Sequence, residues 1–226
     1  MIFFLLSLFP PFHEAEEFGF GDISRLEKPF FSVTYQSLFS LPELQSVKIA
    51  LNNERYGGLI SHFGTDLYRE MMLGGRYKLE LENLYLIVAP SLLYLNQVGE
   101  ENFGFNADLR AGVFHSQYHI FLNAIHPVSY IKGGTIPVEL ELCILYDNQW
   151  STIGLKVNFL EGWGTGLGFG YTLKFPNFQA GLGLLTNPMI PTAGFIVDVG
   201  NICFSSGFQN HPDLGLSNTF TVNYRR

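Results

Sequence analysis

The sequence predicts an all-β protein, a single antiparallel up-and-down transmembrane β-barrel of about 12 strands, within a range of about 10 to 14. Three observations carry this. Apolar and polar side chains alternate with a period of two over most of the chain, which puts them on opposite faces of a sheet. The polar register is made mostly of Gly, Thr, Asn and Ser, too small to be half of a soluble sandwich core. Charged residues make up 15% of the chain and aromatic residues another 15%, a balance that suits a lipid-facing wall with aromatic girdles.

Taken in order, residues 1–15 read as an export signal, because Met1 to Phe12 is nearly all apolar and His13-Glu14-Ala15-Glu16-Glu17 follows abruptly. An interfacial N-terminal segment is the alternative. Residues 16–28 read as a cap or loop, and 29–226 as the barrel. Phe31, Val33 and Tyr35 alternate with Ser32, Thr34 and Gln36, and Val47, Ile49 and Leu51 with Lys48, Ala50 and Asn52. Tyr56 to Gly64 is a weaker strand interrupted by Gly57-Gly58, and Asp66 to Met72 reads as a helical turn or irregular loop. Tyr77, Leu79 and Leu81 then oppose Arg76, Lys78 and Glu80. Leu84 to Asn96 is apolar on both registers, so lipid is expected on one side and an apolar, plugged interior on the other.

Phe105, Leu109 and Val113 alternate with Asn106, Asp108 and Arg110, and Tyr118, Ile120 and Leu122 with His119 and Asn123. His126-Pro127 and Lys132-Gly133-Gly134 are expected to frame a loop. Beyond it Leu140, Leu142 and Ile144 oppose Glu139, Glu141 and Cys143. Ile153, Leu155, Val157 and Phe159 oppose Thr152, Gly154, Lys156 and Asn158. Leu167, Phe169 and Tyr171 oppose Gly166, Gly168 and Gly170, three glycines that leave the interior unfilled or admit a close neighbour. The closing strands are Phe178 to Leu185, Ala193 to Val199, Ile202 to Phe208 and Leu214 to Tyr224, joined by turn-forming pairs such as Gly200-Asn201.

The functional consequences are mostly exclusions. A net charge of -7 gives no basic surface for nucleic acid. The two cysteines, Cys143 and Cys203, lack zinc spacing and read as buried thiols, with a disulfide open in an oxidising compartment. His115 and His119 flank a turn, which does not imply metal geometry, and His62 reads as a structural strand histidine. No catalytic, cofactor-binding or metal-binding residue is expected. Glu139, Glu141, Lys156, Asp198 and Arg110 are the candidate polar groups of the lumen wall, the two glutamates sharing one face and facing Lys156, Arg76, Lys78 or Arg110 as partners.

The Gly-rich strands, the Thr186-Asn187-Pro188 turn and the run His211-Pro212-Asp213-Leu214-Gly215 before a last amphipathic strand resemble the PorV/PorQ-like outer-membrane barrels of bacteria. Those are distant relatives of the long-chain fatty-acid transporters. The resemblance covers about Pro137 to Tyr224 and marks His211, Pro212 and Gly215 as a family-like turn, with His211 stabilising it by hydrogen bonding. It implies a barrel without cofactor in the cell outer membrane. Its role would be structural, a secretion platform, or passive passage of small or hydrophobic solutes. Expected partners are the lipid bilayer, the barrel-assembly machinery, and periplasmic or secretion-system proteins. An outer-membrane enzyme with rim residues such as His115, His119 or Glu139 is the first alternative, and a soluble lipid-binding β-barrel the second.

Overall fold

A backbone in hydrocarbon has no water to bond, so a sheet can span a membrane only by closing on itself. The chain does this. The computed structural model describes residues 30–225 except 42, 54, 66–67, 133–135, 163 and 187; the export signal over 1–15 and the cap over 16–28 lie outside them. Among the described residues the first strands are β1 (Phe30–Ser37), β2 (Gln45–Asn52), β3 (Tyr56–Gly64), β4 (Tyr68–Leu81) and β5 (Leu84–Gln97). Next come β6 (Glu100–His115), β7 (Tyr118–Ile131), β8 (Glu139–Asp147), β9 (Ser151–Leu160) and β10 (Gly164–Phe175). β11 (Phe178–Leu185), β12 (Ile190–Val199), β13 (Ile202–His211) and β14 (Gly215–Arg225) complete the series. Each strand pairs antiparallel with its sequence neighbours, and β1 pairs with β14 from Phe30↔Arg225 to Ser37↔Asn218. At that seam the hydroxyls of Thr34 and Thr221, directly opposite one another, lie 2.8 Å apart.

The fourteen strands sit at the upper end of the expected range rather than at twelve. The weaker segment Tyr56–Gly64 is a full strand, and Tyr68 to Met72, expected within a helical turn or irregular loop, is instead the start of β4. The expected loop at His126-Pro127 is also corrected. β7 runs through it to Ile131, and the register slips between the Ala107↔Val128 and Leu109↔Ala124 pairs. His126 takes a left-handed φ of 57° there, and its N–H donates to Asp108 Oδ1 at 2.8 Å. The bulge, three residues of β7 facing Asp108 alone, absorbs two extra residues and lets both strands continue.

Side-chain direction follows the alternation. Leu155, Phe169 and Leu182 point away from the barrel axis and are 54%, 50% and 68% exposed, while Thr152, Thr172 and Gln179 of the same strands are buried on the inner face. Apolar groups cover the outside and polar groups line the inside, as a bilayer requires. Aromatic pairs cluster near both rims: Tyr56–Tyr77, Tyr118–Tyr146 and Phe175–Phe178 at the end where β1 begins, Tyr94–Phe103 and Phe105–Tyr130 at the other. Such rings sit well at headgroup depth, apolar on one side and wet on the other.

Candidate functional site: the barrel interior

The interior is where polar chemistry is concentrated. Register brings Arg110 opposite Asn123, Asn123 opposite Glu141 and Glu141 opposite Asn158, so the inward residues of β6, β7, β8 and β9 form one row. The row is hydrogen-bonded end to end. Arg110 Nε donates to Asn123 Oδ1 at 2.6 Å, Asn123 Nδ2 donates to Glu141 Oε2 at 2.9 Å, and Lys156 Nζ reaches Glu141 Oε1 at 2.8 Å. Asn158 Nδ2 donates to Glu139 Oε1 at 3.4 Å. Low surrounding polarity strengthens each such bond and makes a broken one costly. Three of the five sequence candidates, Arg110, Glu141 and Lys156, therefore share one network, and Glu139 pairs with Asn158 beside it. Asp198 stands apart on β12, opposite Cys203.

β5 supplies the apolar inner patch that its double register implies. Tyr85, Phe121, Cys143 and Leu145 form a buried cluster with Ile87 and Phe114 against it. A Cβ on Gly112 would lie 2.6 Å from the Tyr85 ring, so the glycine is the slot that lets the ring lie flat on the wall. Tyr85 Oη is 2.7 Å from His119 Nε2, and His119 stacks on Phe114 with ring centroids 4.2 Å apart. His115 lies at the exposed end of β6 and, opposite Tyr118, faces outward, whereas His119 faces inward, so the two do not converge. His62, opposite Val47, also belongs to the outer register. Among the described residues no three His, Cys, Asp or Glu side chains are grouped to hold a metal ion.

The glycines of β10 are not a void. Gly166 is approached by Asn158 and Gly168 by Leu185 and Lys156, with Cβ positions 2.5 and 3.0 Å from their nearest neighbours. They admit the long side chains of β9 rather than leaving space. Cys143 and Cys203 are both reduced and buried, on strands five places apart around the barrel. At the family-like turn, His211 Nδ1 accepts from the N–H groups of Asp213 and Leu214, each at 3.2 Å, and Gly215 supplies a φ of +94°.

The two mouths differ. At the end holding the start of β1 and the end of β14, connections are two or three residues long; at the other they reach seven, at 38–44 and 132–138. From those two, Leu38 and Leu44 bury against Phe63, and Ile136 against Leu95 and Ile131, with Tyr68 packed on both clusters. That mouth therefore carries two buried apolar clusters. Sequence reasoning missed Asn123 as the bridge between Arg110 and Glu141, and Asp108 with His126 as a bulge pair; only the strand register could have found them.

No family model matches this chain, and no curated protein matches it. Solved structures do. A KdgM porin superposes with a TM-score of 0.54 at 9% identity, covering 87% of this chain and 99% of the porin. The outer membrane protein Omp33 of Acinetobacter baumannii superposes with a TM-score of 0.56 at 9% identity, covering 88% of this chain and 98% of the other. At such identities the likeness concerns the backbone, and the fold is that of a porin-like outer-membrane barrel.

Proposed function

We propose that this protein is a bacterial outer-membrane barrel that passes small solutes passively through its interior, with no chemistry of its own. The observation that supports it best is the continuous polar row from Arg110 to Lys156 on the inner face, beneath an outer face of Leu, Phe and Tyr. A wall of that kind serves water and solutes within and lipid without. Outer-membrane barrels carry short periplasmic turns and longer external loops, so the end with connections of two or three residues is assigned to the periplasm. Insertion would proceed through the barrel-assembly machinery.

The test is reconstitution. Proteoliposomes should swell in isotonic solutions of small sugars or amino acids, and planar bilayers should show stepwise conductance. Folded protein that leaves both silent overturns the reading. In that event a second reading takes over, a membrane platform for periplasmic or secretion-system proteins, which the apolar clusters at the mouth with the longer connections favour. Kinship with the PorV/PorQ-like barrels would rest on the His211-Pro212 turn and the Gly-rich strands.

A further inference from the structure

We infer that the upper half of the wall formed by β4 to β7 is a hinged flap that opens and closes the mouth with the longer connections. Its fold line is a set of irregularities that fall at one height on adjacent strands. Between β4 and β5 the ladder runs from Tyr68↔Gln97 to Gly74↔Ser91 and resumes at Tyr77↔Val88, so Gly75 and Arg76 face Pro90 and Ala89 without pairing. Phe114 donates its N–H to the Asn83 carbonyl, which turns the backbone of odd-numbered β5 positions toward β6 and that of Pro90 toward β4. Proline has no N–H, so the ladder bond that Gly75 would accept there cannot form. Between β6 and β7 the ladder breaks at Asp108, which alone faces Ile125, His126 and Pro127.

The two breaks meet. Ala89 and Asp108 stand directly opposite each other, as do Pro90 and Ala107, in a β5–β6 ladder unbroken from Leu84↔Val113 to Gln97↔Glu100. The hairpin is thus one piece with an interrupted ladder on each flank, both at the same level. Toward β3 the line continues through Gly58, opposite Gly75, where added Cβ atoms would meet nothing nearer than 3.9 Å. Crowding does not account for these glycines, and no side chain braces the wall from outside there. Toward β8 the support ends at Ile125↔Glu139, and among the described strands Val128 to Ile131 pair with β6 alone. Among the described residues Arg76 Nε, Ser91 Oγ and Asn106 Oδ1 are buried without a hydrogen-bond partner, all beside this line. Ladder bonds resist bending, so the wall yields where they are fewest.

Above the line the flap is fastened by side chains. Leu95 buries against Ile131 and Ile136, with Leu93 and Tyr68 packed on them, and Ser129 Oγ donates to the Ile136 carbonyl at 3.3 Å. Ile136 belongs to the connection that leads into β8, a strand of the part of the barrel below the line. The flap therefore rests against the fixed wall through a small apolar contact at the mouth, which parts if the flap swings outward. Pro90 to Gln97 spans about 24 Å, so a bend of about 20° at the line carries the tip by about 8 Å. Hinge motions of this kind occupy microseconds to milliseconds, a range that single-channel recording reaches.

The flap as a gate rests on the solute-passage reading, and the experiment separates the two. Full-length protein carrying Cys143→Ala and Cys203→Ala is folded, checked by heat-modifiable gel migration and placed in lipid vesicles. Spin labels on Val98→Cys at the hairpin tip and Asp213→Cys across the mouth report their separation by double electron–electron resonance. Two distances about 8 Å apart are expected. They should merge into one in Pro90→Val, which restores the missing N–H; where that variant does not fold, Gly75→Val, which stiffens the same line from the open lipid side, is read in its place. A label pair at the opposite end, Gln117→Cys with Asn201→Cys, should give one distance throughout. Separately, Ile131→Cys and Ile136→Cys joined by a short bis-methanethiosulfonate reagent should lower planar-bilayer conductance, and a reducing agent should restore it. A single tip distance without the stiffening change overturns the flap. So do two distances that persist in the stiffened variant, because they describe fraying of the tip. Conductance indifferent to the cross-link overturns the gate and leaves the passage reading standing, whereas a silent barrel whose two distances merge as expected keeps the flap and removes the passage.

Discussion

Strands β4 to β9 and strands β10 to β14 with β1 present one kind of surface to lipid and two kinds to the interior. Outside, Leu155 on β9 and Phe169 on β10 are directly paired and equally open, and nothing distinguishes the two walls. Inside, the first wall carries Arg76, Lys78, Arg110, Glu141, Lys156 and the Tyr85–His119 cluster. The second carries mostly small and hydroxyl groups, Gly168, Gly170, Thr172, Gly183, Thr192, Thr219 and Thr221, together with Lys174 and Asp198. The bilayer sets the outer register uniformly, because hydrocarbon rejects polar groups wherever it meets the barrel. The inner register is free to specialise, and it does so unevenly around the barrel.

Height differs too. β4 to β7 have 14, 14, 16 and 14 residues, against 8 to 12 in the other strands. A strand of 16 residues tilted by about 40° rises about 40 Å, beyond the apolar band of about 25 Å. The excess is polar: Asn96, Gln97, Glu100 and Glu101 form the β5–β6 tip, where Tyr94 donates to Glu101. The part of the charged wall that holds Arg76, Lys78 and Arg110 is therefore also the part that projects past the membrane.

The sharpest way to break the comparison is one truncation on each wall. Glu141→Ala removes the acceptor shared by Asn123 and Lys156 and strands a cation inside, at a cost of about 3–5 kcal/mol. Thr172→Ala on the other wall should cost less than about 1 kcal/mol. Urea unfolding in lipid vesicles followed by tryptophan fluorescence measures both, and equal losses would erase the distinction. Next in size, Leu155→Arg or Phe169→Arg should each cost about 2–4 kcal/mol near the midplane. Here the two walls should respond alike, because both residues meet lipid; a tolerated arginine at either one would mean that its strand does not face hydrocarbon.

Smaller again is Gly112→Ala. Its new Cβ would stand 2.6 Å from the Tyr85 ring, forcing the ring off the wall and away from His119 at about 1–3 kcal/mol. Gly168→Ala meets Leu185 at 3.0 Å, a flexible side-chain end, and should cost less. The order of the two midpoints in urea decides whether the aromatic cluster is the more tightly packed region.

Most of the fold was legible in the sequence, because a period of two is a direct statement of which face each residue takes. Glu139 and Glu141, and Lys156 and Asn158, could be put on the inner face from alternation alone. Their partners could not. Arg110 is linked to Glu141 through Asn123, and that link depends on which residues stand opposite across β6, β7 and β8, a register that hairpin turns set and composition does not reveal. The break at His126-Pro127 was misread for a related reason. A proline and a histidine with positive φ resemble a turn locally, yet β6 on one side and the resumed pairing beyond hold the strand through the bulge.

The smallest effect concerns the closing seam between β1 and β14, which lies within the second wall. Closure needs all of the backbone bonds between β1 and β14, and the Thr34–Thr221 hydroxyl pair adds one side-chain bond at 2.8 Å to that ladder. Thr221→Val keeps the shape and the strand propensity while removing a hydroxyl, so the loss should be about 0.5–1.5 kcal/mol, a single neutral hydrogen bond. A seam that governed closure would respond differently: the variant would lose its heat-modifiable migration and expose backbone amides of β1 and β14 to hydrogen exchange before those of β6 and β7. The expected result is a shifted urea midpoint with the exchange order unchanged, because closure is carried by the paired backbones of both strands rather than by the one hydroxyl contact between them.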